Sequence, residues 1–423
     1  MALRPDPQEI PAPALALGPL TSTSKMPSSA HYDHILSQNL IQEIKEALQN
    51  NNQDLAIAKV QEHLDKQNKI PLNIAIAGET GSGKSTFVNA LRGIDNMAEG
   101  AAPTGCVETT SKPTPYSHPN YPNVTLWDLP GVGTTKFPAA KYLKHFKFEQ
   151  FDFFIISATR FTENDVKLAK EIKRMKKKFY FVRSKIDDVL RAQKQSQKDF
   201  SETTTMATIK EDCIKGLQKL GHQSPQVFLV SSFELHLHDF TLLTETLERE
   251  LPEHKRNALL LALRNISQEI INKKKEAFQA QIKYVAALSA VVAAVPVPGL
   301  SIAVDLALLV GVVTRYVFSF GLDIPSLKRL AVRTSVPFDD LKAVIISPLA
   351  AIEISPGLIL KVTAQCAGTA ALMAAEEGTR FIPIIGIPIA MGLSFTTTYR
   401  LLNFFLNVLA DDAQRVLERV LGL

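Results

Sequence analysis

Three short clusters of residues have the types and spacing that chemistry needs. Gly78-Glu79-Thr80-Gly81-Ser82-Gly83-Lys84-Ser85 fits the pattern GxxxxGK[ST], with Thr86 next. Glycines in such a run let backbone N–H groups turn inward around an anion, and a helix opening behind them adds positive potential. Lys84 is then placed to reach the β- and γ-phosphate oxygens of a nucleotide, and the Ser85 hydroxyl to ligate Mg²⁺. Asp128-Leu129-Pro130-Gly131 follows the apolar run VTLW. An acid at that strand end holds Mg²⁺, usually through water, and the N–H of Gly131 senses the γ-phosphate. Ser184-Lys185-Ile186-Asp187 follows FYFVR. Guanine presents N1–H and a 2-amino group side by side, one carboxylate accepts both, and adenine lacks that pair. Asp187 is the expected acceptor, with the Lys185 stem along the base plane and the Ser184 hydroxyl at the head of the turn. Ser231-Ser232 stands where a last nucleotide loop belongs.

The segment 100–116 (GAAPTGCVETTSKPTPY) lies between the first two clusters, where a nucleotide-sensing switch belongs. Thr104, Thr109 and Thr110 are each able to supply an Mg²⁺ or γ-phosphate contact. The residue after DxxG is Val132, whose apolar side chain cannot orient a nucleophilic water. Slow intrinsic turnover is expected, with the missing group supplied by the switch loop or another subunit; Glu108 is the nearest acidic candidate.

The elements that must position these clusters are legible in the apolar pattern. Leu72–Ala77, Val124–Leu129, Phe151–Ala158, Phe179–Val182 and Val227–Val230 are near-continuous apolar runs, as strands covered on both faces should be. Helical stretches such as Asp165–Lys178 separate them, which predicts a mostly parallel α/β sheet over 70–250. Before it, 1–30 reads as a flexible Pro-rich tail. Over 31–69 two antiparallel helices are expected, with the stripes Ile35, Leu40, Ile44, Leu48 and Leu55, Ala58, Val60, Leu64. After it, 251–423 reads as helical, including Ala258–Ala280, Leu322–Val344 and a C-terminal helix with Leu402, Phe405, Leu409, Ala413, Val416 and Val420 on one face. The N-terminal pair is expected to pack with these helices into one all-α domain.

Composition narrows the class. The chain has 423 residues, too long for one ordinary core, and its 46% hydrophobic content excludes a disordered protein. Forty-seven basic against 42 acidic residues give +5, which neither demands nucleic acid nor excludes an anionic membrane. Basic residues are not interleaved with aromatics, so no nucleic-acid partner is expected. Cys106, Cys213 and Cys366 are too scattered for a disulfide scaffold or a zinc finger. Six prolines before residue 30 speak against a signal peptide, and Ala2 against N-myristoylation. His236-Leu237-His238-Asp239 lacks the spacing of a metal site.

Taken together, GETGSGKST, EGAAPTGCVETT, VTLWDLPGVGTTKFPAAKYL, FDFFIISATRFTENDVKLAKEI and KKFYFVRSKID resemble the immunity-related, interferon-inducible GTPases of the lysine-bearing (GKS) type. The likeness runs from about residue 35 through VFLVSS, LPEHKR and PVPG. PVPG with ISPLA resembles the testis-expressed branch as much as the immune effectors. The resemblance implies a Ras-like P-loop G domain between helices that form one helical domain. It implies binding of GTP and GDP, G-domain self-association, cooperative hydrolysis, and peripheral association with Golgi, endoplasmic reticulum or vacuole membranes from the cytoplasm. By position it places Thr104 and Thr110 on the family's switch threonines and Glu108 on an acid that acts across the dimer. Ser85, Thr104 and Asp128 are the expected Mg²⁺ contacts; Lys84, Ser85, Glu108 and Gly131 are the expected catalytic group.

Val285–Val295 and Leu300–Val313 are each shorter than the ~18–20 apolar residues that span a bilayer. They are read as a buried hairpin, with an interfacial wedge as the alternative, and Ala370–Glu376 as an amphipathic lipid contact. Lys173–Lys178 and Lys273–Lys275 are read as solvated faces, with anionic lipid as the alternative. Two rival functions remain: a nucleotide-responsive scaffold with negligible hydrolysis, motivated by Val132 and Ser184, and an ATP-using P-loop kinase, which Asp187 disfavours.

Overall fold

Runs that are apolar on both faces need cover on both faces, and the chain supplies it by alternating strands with helices. The computed structural model describes residues 38–50, 52–68, 70–105, 109–133, 148–219, 225–293, 300–373 and 395–423. Glu108, residues 1–30, PVPG (296–299) and all of 374–394 lie outside them.

Helices α1 (Gln38–Gln49) and α2 (Gln53–Asn68) precede β1 (Leu72–Ala77), and α3 (Lys84–Leu91) follows it. Then come β2 (Thr114–Ser117), β3 (Val124–Asp128), β4 (Phe153–Ala158), α4 (Glu163–Arg174), β5 (Lys178–Arg183), α5 (Ile186–Ser196), α6 (Glu202–Gln218), β6 (Val227–Leu229) and α7 (Phe240–Glu250). The strand order is β2-β3-β1-β4-β5-β6; β2 is antiparallel to β3 and all other pairs are parallel. Alternation along the strands divides the core. Ile74 and Ile76 of β1 pack with Phe87 and Val88 of α3 and Phe240 and Leu243 of α7. Ala75 and Ala77 face Leu168 and Ile172 of α4 and Cys213 and Leu217 of α6.

The remaining helices are α8 (Glu253–Ala262), α9 (Gln268–Ala293), α10 (Leu300–Ser319), α11 (Ile324–Thr334), α12 (Phe338–Ala343), α13 (Pro356–Met373) and α14 (Phe395–Leu421). Leu40, Ile44, Leu48, Ala56 and Val60 of the N-terminal pair share one core with Ile282, Leu288, Val313, Leu402, Phe405 and Leu409. The chain is therefore a P-loop α/β domain plus an all-α domain built from both ends of the sequence. The apolar face of α14 is the expected one, with Leu402, Phe405, Leu409, Ala413 and Val416 buried and Val420 half-buried at its end.

Several expectations need correction. The edge strand β2 was read as switch loop; four residues with a proline in them carry too little apolar pattern to announce a strand. Leu55 is 43% exposed and Ala58 is exposed, because α2 buries the i, i+4 pair Ala56 and Val60 instead. Ala258–Ala280 is two helices, with Leu263 in an extended conformation at the break. Leu322–Val344 is also two, broken where Ser335 turns left-handed and Pro337 ends the donor ladder. Likewise α4 stops at Arg174, and Lys176 turns the chain with φ 56° into β5.

The apolar helix expected to end at Val313 runs on to Ser319, so α10 is 20 residues long. The stretch from Ala303 is long and apolar enough to cross a bilayer by length and composition. Val304, Leu308, Val312 and Tyr316 are nevertheless buried among α2, α9, α13 and α14. Asp305 is 1% exposed and accepts the Ser289 hydroxyl at 2.7 Å, which reconciles a carboxylate with that core. The lysine run of α9 is not the solvated face expected: Lys274 is fully buried, donating to Leu263 O and Ser319 O, and Lys273 pairs with Glu248 at 2.7 Å.

Phe405 is fully buried where α14 meets the shared core. Phe405→Ala is expected to lower stability by about 3–5 kcal/mol in a denaturant titration.

Candidate nucleotide-binding site

The site is assembled by the C-terminal ends of β1, β3, β4 and β5, which parallel pairing brings to one edge. The loop after β1 is held from several sides. Val132 N donates to Gly78 O at 3.0 Å, and Glu79 bridges to Val132 in a parallel pairing. This closeness is why glycine stands at two positions. A Cβ on Gly131 would lie 2.0 Å from Thr80 Oγ1, and one on Gly78 (φ 144°) 2.0 Å from Ser157 O.

Lys84 opens α3 and donates from Nζ to Glu79 O at 2.8 Å, so its ammonium curls over the loop. Ser85 Oγ donates to Asp128 Oδ2 at 2.6 Å, and Thr110 Oγ1 donates to the same oxygen at 2.9 Å. Asp128 is fully buried, and its Oδ1 has no hydrogen-bond partner. Burial pushes its pKa up, while the two hydroxyls and the Lys84 charge pull it back. The antiparallel pairing of β2 with β3 sets Thr114 opposite Asp128, which brings the end of the switch segment to the carboxylate.

A cavity of about 210 Å³ is lined by Thr80, Gly81, Gly83, Lys84, Ser85 and Thr86, together with Thr104, Thr109, Thr110, Gly131 and Lys185. Thr104 is exposed on its wall, whereas Thr110 is the switch threonine bonded to Asp128. Val132 is 2% exposed and sits in the core beside Leu129 and Phe154.

The purine end is built from the β5–α5 turn. Ser184 Oγ donates to Ser82 O at 2.7 Å and lies 3.1 Å from Ala158 O, so it ties this turn to the phosphate loop. Ser157 Oγ adds a second bond to Ser82 O at 3.0 Å. Lys185 adopts a left-handed backbone (φ 55°), and its Cε passes 3.6 Å from where a Gly83 Cβ would stand. Asp187 is half-exposed in the first turn of α5. Ile186 N bonds to Val230 O at 3.4 Å, joining this turn to the loop that holds Ser231 and Ser232. The Ser231 hydroxyl accepts the N–H of Phe233 and of Glu234, and Ser232 O accepts Arg333 Nη2 of α11 at 2.6 Å. Asp187, Ser184, Ser231 and Ser232 lie outside the lining of the phosphate cavity.

Sequence reasoning missed a polar brace behind the loop. Glu79 Oε1 accepts Thr162 Oγ1 at 2.9 Å and Asn164 Nδ2 at 2.8 Å, joining the phosphate loop to the first turn of α4. Thr162 and Asp165 form a capping box there. A Thr-x-x-Asp spacing before an apolar-periodic run was the available signal. Asp239, in the supposed histidine patch, instead accepts Lys210 Nζ at 2.8 Å and Leu229 N at 3.1 Å.

The family model described as Interferon-inducible GTPase (IIGP) matches residues 37–420. The chain is 41% identical to Interferon-inducible GTPase 5 of Rattus norvegicus over 399 residues, 93% of this chain and 86% of the relative. The Bos taurus protein of the same name is also 41% identical, over 400 residues and the same shares. Interferon-gamma-inducible GTPase 10 of Mus musculus is 37% identical over 388 residues, 91% of this chain and 90% of the relative.

Two outcomes follow from the geometry. Ser184→Ala removes the hydroxyl that joins the purine turn to the phosphate loop and is expected to weaken GDP binding about fivefold, roughly 1 kcal/mol, in a fluorescent-analogue titration. Burial pushes the Asp165 carboxyl up from 3.8 to about 7, with Glu79 adding to it and the bonds from Thr162 opposing. The folded chain therefore keeps a proton there that the unfolded chain has released. The resulting stabilisation is complete below pH 3.8 and lost as pH rises through about 7. Asp165→Asn should flatten that decline, and its melting temperature at pH 8 should equal or exceed that of the unsubstituted chain in calorimetry.

Proposed function

The chain belongs to the interferon-inducible GTPase family, and we propose that it acts as a self-assembling GTP switch at intracellular membranes in cell-autonomous innate defence. As a member of that family it binds GTP and GDP and hydrolyses GTP to GDP and phosphate. The observation that carries the reading is the convergence of the Ser85 and Thr110 hydroxyls on one buried Asp128 oxygen beside Lys84.

That donor set fits Mg²⁺. Two hydroxyls and a carboxylate with an unpartnered buried oxygen are hard oxygen ligands, and nucleotide phosphates supply the rest. Ser85 and Asp128 would hold the ion, with Thr110 or Thr104 from the switch segment. When bound, Mg²⁺ neutralises charge on the β- and γ-phosphates. Lys84 stabilises the same oxygens, and the Gly131 N–H stands against the loop where the γ-phosphate ends. Asp187 selects guanine through its paired N1–H and 2-amino donors.

Orienting the attacking water is the step these residues leave open. Among the described residues lining the phosphate cavity there is no carboxylate or carboxamide, and Val132 is packed into the core. This supports completion of the site by Glu108 or by a second chain docked on the G domain. Membrane action at Golgi, endoplasmic reticulum or vacuole rests on the family resemblance. A second reading is favoured by the burial of Val132: a nucleotide-responsive scaffold that turns over too slowly to matter, in an immune or a tissue-specific role.

GTP turnover per molecule measured against protein concentration separates the two. The switch predicts a rate per chain that climbs with concentration; a flat, negligible rate at every concentration favours the scaffold. Asp187→Ala is expected to abolish the preference for GTP over ATP, and Lys84→Ala to remove turnover.

A further inference from the structure

A second cavity, of about 380 Å³, lies between the two domains and away from the phosphate loop. Its volume is in the range of small-molecule sites, roughly 300–1,000 Å³. Four arginines line it: Arg92 after α3, Arg264 in the α8–α9 break, and Arg329 and Arg333 on α11. Among the described lining residues there is no Asp or Glu. None of the four arginines forms an ion pair with a described carboxylate within 4.0 Å.

The arginines differ in how far they are already engaged. Arg92 donates to Ser117 O and Gly100 O and lies over the Tyr116 ring. Arg329 gives one bond to Ser326 Oγ, and Arg333 one to Ser232 O. Each guanidinium carries five donors, so most of theirs stay open. The Arg264 guanidinium makes no hydrogen bond to a described residue; its stem packs on Gly93, where a Cβ would stand 3.2 Å from Cγ and Cδ. Burial pushes the Arg264 pKa down to about 9, and Arg333 adds to the effect. Burial lowers Arg333 as well, with Asp95 offsetting it. All four are half-buried, and clustering like charges partly out of water is costly unless an anion joins them.

The α14 part of the lining is apolar. Ala413, Val416, Leu417, Val420 and Leu421 of α14 recur at helical spacing and all line the cavity. Leu330 stands between Arg329 and Arg333 on α11 and contributes the same chemistry. His118, also on the wall, is held neutral: burial first, then Lys274, Arg92 and Arg329, push it down to about 3. The cavity thus offers both cationic donors and an aliphatic face in one lining.

We propose that this interdomain cavity binds an anionic amphiphile, a phosphate or carboxylate head on a short aliphatic chain, with Arg264 and Arg329 holding the head and the α14 stripe holding the chain. Head and tail must both count, because either wall alone describes half of the cavity. The ligand would touch both domains, since Arg92, Gly93 and His118 of the G domain line the cavity together with Arg264, α11 and α14 of the helical domain.

The test uses the full chain saturated with GDP, so that the phosphate loop is blocked. Hexyl phosphate, inorganic phosphate and hexanol are titrated by calorimetry. Hexyl phosphate is expected to saturate at one per chain, at least tenfold tighter than either fragment. Arg264→Gln should weaken it tenfold or more, and Val420→Trp, which fills the apolar wall, should do the same; Arg329→Gln is the substitute if Arg264→Gln does not fold. Vesicles of phosphatidylcholine with and without phosphatidic acid then compete. Displacement by the acidic vesicles alone assigns a lipid source, and no displacement assigns a soluble ligand; both uphold the site. No saturable binding overturns the proposal, as does undiminished binding in variants that keep the circular dichroism and GDP affinity of the unsubstituted chain.

Discussion

One buried carboxylate organises the G domain. Asp128 has no access to water, yet it sits at the end of a strand with Ser85 of α3 and Thr110 of the switch segment both donating to one of its oxygens. A charge so placed is tolerable only while other groups hold it, and here the groups come from two segments that are also joined by Asn89 with Ala102 and by Arg92 with Gly100. The carboxylate therefore couples the phosphate loop to the switch. The second oxygen, left without a partner, gives the pair a direction: toward a hard cation and the phosphates behind it. Lys84 completes this arrangement by adding a positive field that draws the acid back toward its ionised form.

The purine end obeys a different constraint. Ser184 occupies a position where GTPases usually carry an amide or a threonine, and its hydroxyl alone reaches both Ser82 O and Ala158 O. The feature that those larger side chains and a serine share is a donor aimed at the phosphate loop. The substitution at Ser184 therefore keeps the two halves of the site in register. Lys185 then runs across the loop at Gly83, which has no side chain to obstruct it.

Much of this was legible in the sequence, and the pattern of what was not is instructive. The five parallel strands announced themselves because both of their faces are buried, so each reads as an unbroken apolar run. β2 did not, because TPYS alternates between half-exposed and exposed positions and makes its contacts through the backbone to β3. The phosphate loop was legible because its geometry forces glycine at fixed places. The choice among Thr104, Thr109 and Thr110 was not, since any of three nearby hydroxyls satisfies the same chemistry and only the pairing register brings Thr110 to Asp128. Helix breaks at Leu263 and Ser335 were hidden for a related reason. The apolar periodicity continues across both; at the first the break is marked by a tertiary bond, Asn265 Nδ2 to Phe320 O at 2.6 Å, whereas at the second Pro337 was the available signal.

Those two breaks are where the domains hold each other. Lys274 is buried at the first, donating to Leu263 O and to Ser319 O at the end of α10. Arg333, near the other, holds the last nucleotide loop through Ser232 O. A rearrangement of that loop on nucleotide exchange has to strain or release the α11 contact, since the bond from Arg333 is to backbone and cannot be satisfied by a rotamer change at Ser232. The helical domain is thus mechanically attached at the base end of the site, while the switch segment is attached at the phosphate end through Thr110. The two ends of the site are tied to different parts of the chain, the switch segment through Thr110 and the helix α11 through Arg333. That division follows from where the donors sit, independently of what the helices go on to touch.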